Sequence, residues 1–597
     1  MEKKREEVSD EFKWDLSTIY KTEEDLSLDY EKIRKKIEDI KKYEDNFLDS
    51  SSNLYDALKE TSEIEMILDK MWSYVSNKYN EDITNSENQT WKEKVYDLYE
   101  KYEINSSFFI PKLLSFGSSR INKYLEENKD LKKDYDFILD NVFRNEKHTL
   151  SLEEEKLMSS LSKAFSNTSK ISGMLNDSDL DFGFITDENG NEVKLTDTNY
   201  SLYIQSKDRR VRKEAFLALY KVYKQFNNTF SLLLADYVSR NRAISKVRKF
   251  NSSLESALFN DNVSVEVYNN LIDIVSKNLD TVYEYYKIKK EALNLDEMHL
   301  YDTYVDICNE SDKKYTFEEA KKLVINSLSV LGEDYITNLK KAFDERWIDI
   351  YPNKGKRGGA YSSGSYLTNP FLLLNFKGLY HDVSTLAHEL GHSMHTYYSN
   401  LNQPYQYSEY KIFVAEVASQ VNELLFNNYM LDKVETKEEK INILNQILEL
   451  FKASIVRQTM FAEFERDIAA LEQEEVVLTS DVLNDKYFSL VKKYFGDDVI
   501  IDDEIKYEWQ RIPHFYYNFY VYKYSTGLAA ACYIVKGIME GKEGALQNYL
   551  EFLKTGGSDY PLNELLVAGV DLSKPEVIQS AMDMFRKNVD KMKMLLK

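Results

Sequence analysis

The chain has 597 residues, 43% of them hydrophobic and 30% charged, an ordinary globular balance that gives no reason to invoke disorder. With 78 basic against 101 acidic side chains the net charge is -23, a surface that repels phosphate backbones and anionic lipid. Nucleic acid and membranes are therefore not expected as partners, and no apolar run approaches the length of a bilayer span.

The opening residues, Met1 to Glu7, are charged throughout and are not followed by an apolar export segment, so a cytoplasmic protein is expected. Ile33, Ile37 and Ile40 recur at helical spacing inside a charged segment and predict an amphipathic surface helix. None of the seven prolines falls between Pro111 and Pro352, which leaves room for long uninterrupted helices. Phe182 to Ile185 and Val193 to Leu195 flank Asn189-Gly190 and predict a small hairpin. A boundary is expected there: residues 1–200 as an N-terminal helical region ending in the hairpin, and 201–597 as a catalytic domain. Phe216, Leu219, Tyr220 and Tyr223 return to helical spacing, as do Leu444, Ile447, Leu448, Phe451 and Ile455. Between them, Gly355, Gly358, Gly359 and Gly364 make a glycine-rich loop, and Phe371 to Phe376 reads as a short strand. Cys308 and Cys532 are expected as two buried free thiols, too few for a disulfide framework. The fold class is mainly α with a small β element.

Seven histidines occur in the chain, four of them between 381 and 395. His388-Glu389-Leu390-Gly391-His392 is an H-E-x-x-H pattern expected by chance roughly 0.01 times at this composition. Four residues turn a helix by about 400°, so His388 and His392 share one face and can share one ion. Glu389 lies about 100° round, where a general base for water beside the metal belongs. Asp382 and Ser384 are placed to cap this helix. Catalytic zinc takes three protein ligands and leaves one position open. His395 follows in the same helix, but three ligands from one helix do not easily surround an ion, so it is read as packing or support. Glu416, a lone acid in the apolar run Phe413-Val414-Ala415-Glu416-Val417-Ala418-Ser419, is the better third ligand, because a carboxylate there is costly unless paired or metal-bound. The small residues after it would let two helices pack closely. Glu423 competes with it.

His514 follows Pro513, and five tyrosines fall between 514 and 524, where about 0.8 is expected from composition. The spacing sets His514, Tyr517 and Tyr524 close to one helical face, with Tyr520 at its edge. Such donors could stabilise an oxyanion.

His388 to His392 with Glu416 placed 24 residues beyond His392 in an Ala-Glu-Val-Ala-Ser context resembles the thimet oligopeptidase-like zinc metallopeptidases, within them the oligoendopeptidase F group. Trp14-Asp15-Leu16-Ser17, Asn199-Tyr200-Ser201-Leu202-Tyr203 and Arg511-Ile512-Pro513-His514-Phe515-Tyr516 extend the resemblance over nearly the whole chain. The resemblance implies a helical zincin-type peptidase with a deep central channel, one Zn²⁺ per chain, Glu416 as third ligand and oligopeptide substrates. It also implies a histidine followed by several tyrosines on one helix, although the tyrosine spacing here differs from that of thimet oligopeptidase itself. The expected activity is endopeptidase cleavage with Glu389 as base and His514, Tyr517 and Tyr524 as donors. An exopeptidase, a non-catalytic peptide-binding protein and a purely structural metal site remain as rivals.

Overall fold

A computed structural model describes residues 3–165, 167–307 and 313–597. Helices dominate it, and the strands among the described residues are two or three residues long, gathered in three small sheets. The chain divides into two compact units, one of Met1–Lys147, Lys313–Tyr429 and Ile534–Val570, the other of His148–Asp312, Met430–Tyr533 and Asp571–Lys597. Neither is continuous in sequence. The hairpin pairs Ile185 with Val193, as its turn residues predict, but it belongs to the second unit, as does residue 200. Side chains from the helix Arg209–Gln225 hold it there: Arg210 donates to the Thr186 and Asp187 carbonyls, and Glu214 accepts from the Thr186 amide.

The first unit begins with the helices Glu23–Asp39, Ser51–Glu81 and Ser86–Ser106. Thr22 and Asp25 cap the first reciprocally, and Ile33, Ile37 and Ile40 are buried as their spacing predicts. Their core reaches Phe371 and Leu373. These two belong to the strand Phe371–Leu373, the middle of a three-stranded sheet, parallel to Ile348–Asp349 and antiparallel to Tyr361–Ser363. All three of its side chains are buried, which a central strand covered on both faces requires. Regular strand stops at Leu373, short of the expected Phe376. Gly355, Gly358 and Gly359 lie in the segment joining the two outer strands and Gly364 just past the second of them; Asn375 Nδ2 ties this segment down by donating to the Arg357 and Gly359 carbonyls.

In the second unit Phe216, Leu219, Tyr220 and Tyr223 are buried on Arg209–Gln225, and Leu444, Ile447, Leu448 and Phe451 on Lys437–Phe451. The latter helix runs through a π turn, Lys452–Arg457, into Gln458–Gln473. Arg457 meets Glu508 at 2.7 Å, and Tyr487 and Tyr220 donate to the same carboxylate. Cys532 is a buried free thiol, pushed well above the usual range by burial, whereas Cys308 lies outside the described residues. No helix among the described residues is long and apolar enough to cross a membrane.

Candidate metal centre

The helix Tyr380–Asn402 carries the H-E-x-x-H residues. Asp382 starts it by accepting from the Lys377 and Leu379 amides at 2.8 and 2.9 Å. Ser384 plays no such part and instead donates to Glu423 at 3.4 Å. Val383, Leu386, Ala387, Leu390 and Met394 bury the opposite side of the helix completely, which fixes its rotation. His388 and His392 then stand one turn apart with ring centroids 5.1 Å from each other.

Glu416 comes from the next helix, Ile412–Lys433. The two helices cross at Gly391, where a Cβ would lie only 2.5 Å from the Ala418 carbonyl oxygen and the Ser419 Cα. Only glycine permits that approach, and the small residues after Glu416 complete it. The crossing puts Glu416 Oε2 3.3 Å from His388 Nε2 and 3.5 Å from His392 Nε2. Ser419 Oγ donates to the same oxygen at 2.9 Å and helps hold it. Glu423, two turns further along, meets His388 at its other nitrogen, with Oε2 3.1 Å from Nδ1. The two acids that compete in the sequence thus stand on opposite sides of one imidazole.

Among the described residues His388, His392 and Glu416 are the one cluster able to hold a metal ion. Bonds of about 2.0–2.1 Å to a tetrahedral zinc set ligand atoms about 3.3–3.4 Å apart, close to the two separations observed. The charge pattern fits as well. Burial disfavours a protonated His388, yet Glu416 and Glu423 overcome it and raise the imidazole to about 10, so positive charge is favoured at this spot. Burial raises the Glu416 carboxyl, but hydrogen bonds with His388 and His392 outweigh it and hold it far below the usual range. A carboxylate fixing Nδ1 of a metal-binding histidine is the common supporting arrangement.

Glu389 is 7% exposed, and burial lifts its carboxyl above the usual range while His388 and His392 partly offset the rise. His395 is wholly buried with its ring flat on Tyr410 at 3.8 Å, and neither ring nitrogen has a hydrogen-bond partner among the described residues. It is a packing residue. A cavity of ≈ 770 Å³ in this unit is lined by Ser362, Ser363, Thr396, Tyr410 and Ala415, together with the carboxyl side chains Glu65, Asp69 and Glu409.

His514 and its tyrosines belong to the second unit. They do not share one helix. His514 lies in a 3-10 turn, Pro513–Tyr516, and the next helix starts only at Tyr522. Between them Asn518 and Phe519 take left-handed backbone angles, with φ of 53° and 60°. The cluster forms nonetheless, through the turn rather than through helical spacing. Ring centroids of Tyr517, Tyr520 and Tyr524 lie 5.3, 6.2 and 5.9 Å from that of His514, and the Tyr524 hydroxyl is 3.4 Å from His514 Nε2. Tyr520, an edge residue in the helical reading, is a full member. Tyr516 turns away onto Tyr237, and Tyr522 is buried against Tyr268. Burial lowers the His514 imidazole, which keeps it neutral near pH 7.

The pairing of Glu423 with His388 does not follow from the sequence alone, although its seven-residue spacing from Glu416 places both on one helical face. The close contact at Gly391 is foreshadowed only by a glycine in mid-helix opposite a run of small residues.

The sequence profile of Peptidase family M3 matches residues 202–584, and that of Oligopeptidase F matches residues 112–182. Oligopeptidase PepF of Bacillus subtilis is 39% identical over 592 residues, covering 99% of this chain and 88% of its own. Group B oligopeptidase PepB of Streptococcus agalactiae is 38% identical, covering 99% and 98%. Among solved structures, a protein from Chlamydophila abortus superposes over 100% of both chains with a TM-score of 0.92 at 37% identity. Oligoendopeptidase-F from Enterococcus faecium covers 96% of this chain and 99% of its own, with a TM-score of 0.75 at 31% identity. With more than half of its length matched by the family profile and full-length relatives above 30% identity, the chain belongs to peptidase family M3 and is a metallopeptidase.

Proposed function

We propose that this metallopeptidase is a zinc-dependent endopeptidase that cuts internal bonds of short oligopeptides, with one Zn²⁺ per chain held by His388, His392 and Glu416. The observation that carries this reading is a cluster of three donor atoms, all within 4.8 Å of one another and two of them 3.3 and 3.5 Å from the Glu416 oxygen, beside a buried glutamate that is not one of the donors. Zinc in such a site supplies Lewis-acid polarisation of water and of the scissile carbonyl. Glu389 takes the proton of the attacking water and hands it to the leaving amine; its raised carboxyl makes it a better base than an exposed glutamate and a competent acid in turn. His514, Tyr517 and Tyr524 donate hydrogen bonds to the oxyanion that develops on the carbonyl oxygen, each donor being worth roughly 10²–10³ in rate. Their mutual contacts support treating them, with Tyr520, as one group. The acid-lined cavity next to Ala415 offers room for a flexible peptide, and the strand Tyr361–Ser363, an edge of its sheet, runs along it.

Mass spectrometry of a mixed peptide set, incubated with the zinc-loaded protein and with Glu389→Gln, tests the reading. Internal fragments from the wild type alone are expected. Stepwise loss of terminal residues would transfer the case to an exopeptidase, and absence of cleavage would leave a peptide-binding protein. Metal analysis should return one zinc per chain, lost in His388→Ala.

A further inference from the structure

The segment from His514 to Ser525 has to pass from a 3-10 turn to a helix within five residues, and it does so through two consecutive left-handed residues. Asparagine enters that region readily. For a bulky residue such as Phe519 it is an outlier, which persists only where the surroundings over-determine it.

Those surroundings are largely one helix, Gln458–Gln473, with the π turn before it. Ser525 Oγ donates to the Ser454 carbonyl at 3.0 Å, inside the π turn, and lies 3.2 Å from Thr459 Oγ1. Phe461 and Phe464 clasp Phe515 with centroids at 5.3 and 5.1 Å. Tyr268, whose hydroxyl donates to the Ala462 carbonyl at 2.8 Å, sets its ring against Phe519. Asn241 Nδ2 donates to Asn518 Oδ1 at 3.2 Å. At the strained residue itself Glu465 Oε1 accepts the Phe519 N–H at 3.0 Å, 54 positions away in sequence. Glu465 is 5% exposed, and its Oε2 has no hydrogen-bond partner among the described residues. Burial pushes its carboxyl up to about 8, so it acts mainly as a neutral acceptor near pH 7. A buried carboxyl with so little local compensation needs a reason to be there.

We propose that Glu465 is a positioning residue for the reaction: by accepting the Phe519 N–H it locks the Asn518–Phe519 turn and so holds His514, Tyr517, Tyr520 and Tyr524 as one donor cluster. The inference rests on the reading of His514 as an oxyanion donor. An acceptor is what the turn needs, not a charge.

Steady-state kinetics of Glu465→Leu, Glu465→Gln, His514→Gln and the Glu465→Leu/His514→Gln double variant test it. Glu465→Leu should lower kcat about 10–100-fold with KM within about threefold, because a misplacement of about 1 Å has that effect on a reacting group. Glu465→Gln keeps an acceptor and should stay within about threefold of wild type. The double variant should be no slower than the slower single one, and zinc affinity should be unchanged throughout. If Glu465→Leu does not fold, Glu465→Asp, which withdraws the acceptor by one bond, should show the same kcat loss. A His514→Gln variant with wild-type kcat would overturn the reading of His514, and this inference with it. Loss in His514→Gln but none in Glu465→Leu, or in Glu465→Asp if that variant replaces it, would overturn the inference alone. Multiplicative losses in the double variant, or a Glu465→Gln as slow as Glu465→Leu, would likewise refute it.

Discussion

Gly391→Ala adds one methyl group where the two helices of the metal centre cross. The new Cβ would stand 2.5 Å from the Ala418 carbonyl oxygen and 2.5 Å from the Ser419 Cα, where ordinary contact begins at 3.4 Å. Both neighbours are backbone, so no side-chain rotation relieves the overlap and the helices must separate by about 1 Å. Overpacking of this kind costs about 1–3 kcal/mol of stability. Glu416 lies two residues before Ala418 on the displaced helix, and metal–ligand distances tolerate only about 0.2 Å. The expected result is a variant that folds, melts lower, binds zinc at least about tenfold more weakly in competition with a chelator, and loses about 10²-fold in kcat/KM. Gly358→Ala is the control, since no atom lies within 4 Å of a Cβ there. A Gly391→Ala protein with wild-type zinc affinity would refute the argument that this crossing sets the donor geometry.

Glu389→Gln should lower kcat about 10²–10⁴-fold while zinc affinity stays within about threefold, since Glu389 is not among the donors; equal loss of zinc would count against its role as base. Glu423→Ala should weaken zinc binding about 10–100-fold by freeing His388 Nδ1, read by chelator competition. An unchanged affinity would show that Glu423 is only a packing residue. His395 is pushed down to about 3 by burial, so the unfolded chain takes up a proton that the folded one refuses. Its contribution is present above pH 6.5 and is lost as pH falls from 6.5 toward 3, at about 1.4 kcal/mol per pH unit. Thermal unfolding of His395→Phe should therefore gain on wild type by about 2 kcal/mol between pH 7 and pH 5, and parallel pH curves would exclude the effect.

Much of the candidate metal centre is legible in the sequence. His388, Glu389 and His392 lie within five residues of one helix, and helical geometry alone settles which of them share a face. The isoleucines at 33, 37 and 40 were legible for the same reason, as was the strand at Phe371, whose apolar run is bounded by Pro370. In each case the pattern that signals the element lies between near neighbours in the chain.

What the sequence left open depends on groups far apart in it. Glu416 and Glu423 sit on one helical face, and only the crossing at Gly391 decides which meets the Nε2 atoms and which meets Nδ1. Helical spacing put His514, Tyr517 and Tyr524 on one face. Packing against Gln458–Gln473 instead forces two non-glycine residues into left-handed angles and brings Tyr520 in. That neither unit is continuous in sequence, and that the hairpin is held by Arg210, follow from contacts between segments that are not adjacent in the chain. Periodicity is a property of the local helix and survives in any fold that contains it. Close crossings, strained turns and buried carboxyls have no local preference in their favour and exist only where distant backbone holds them.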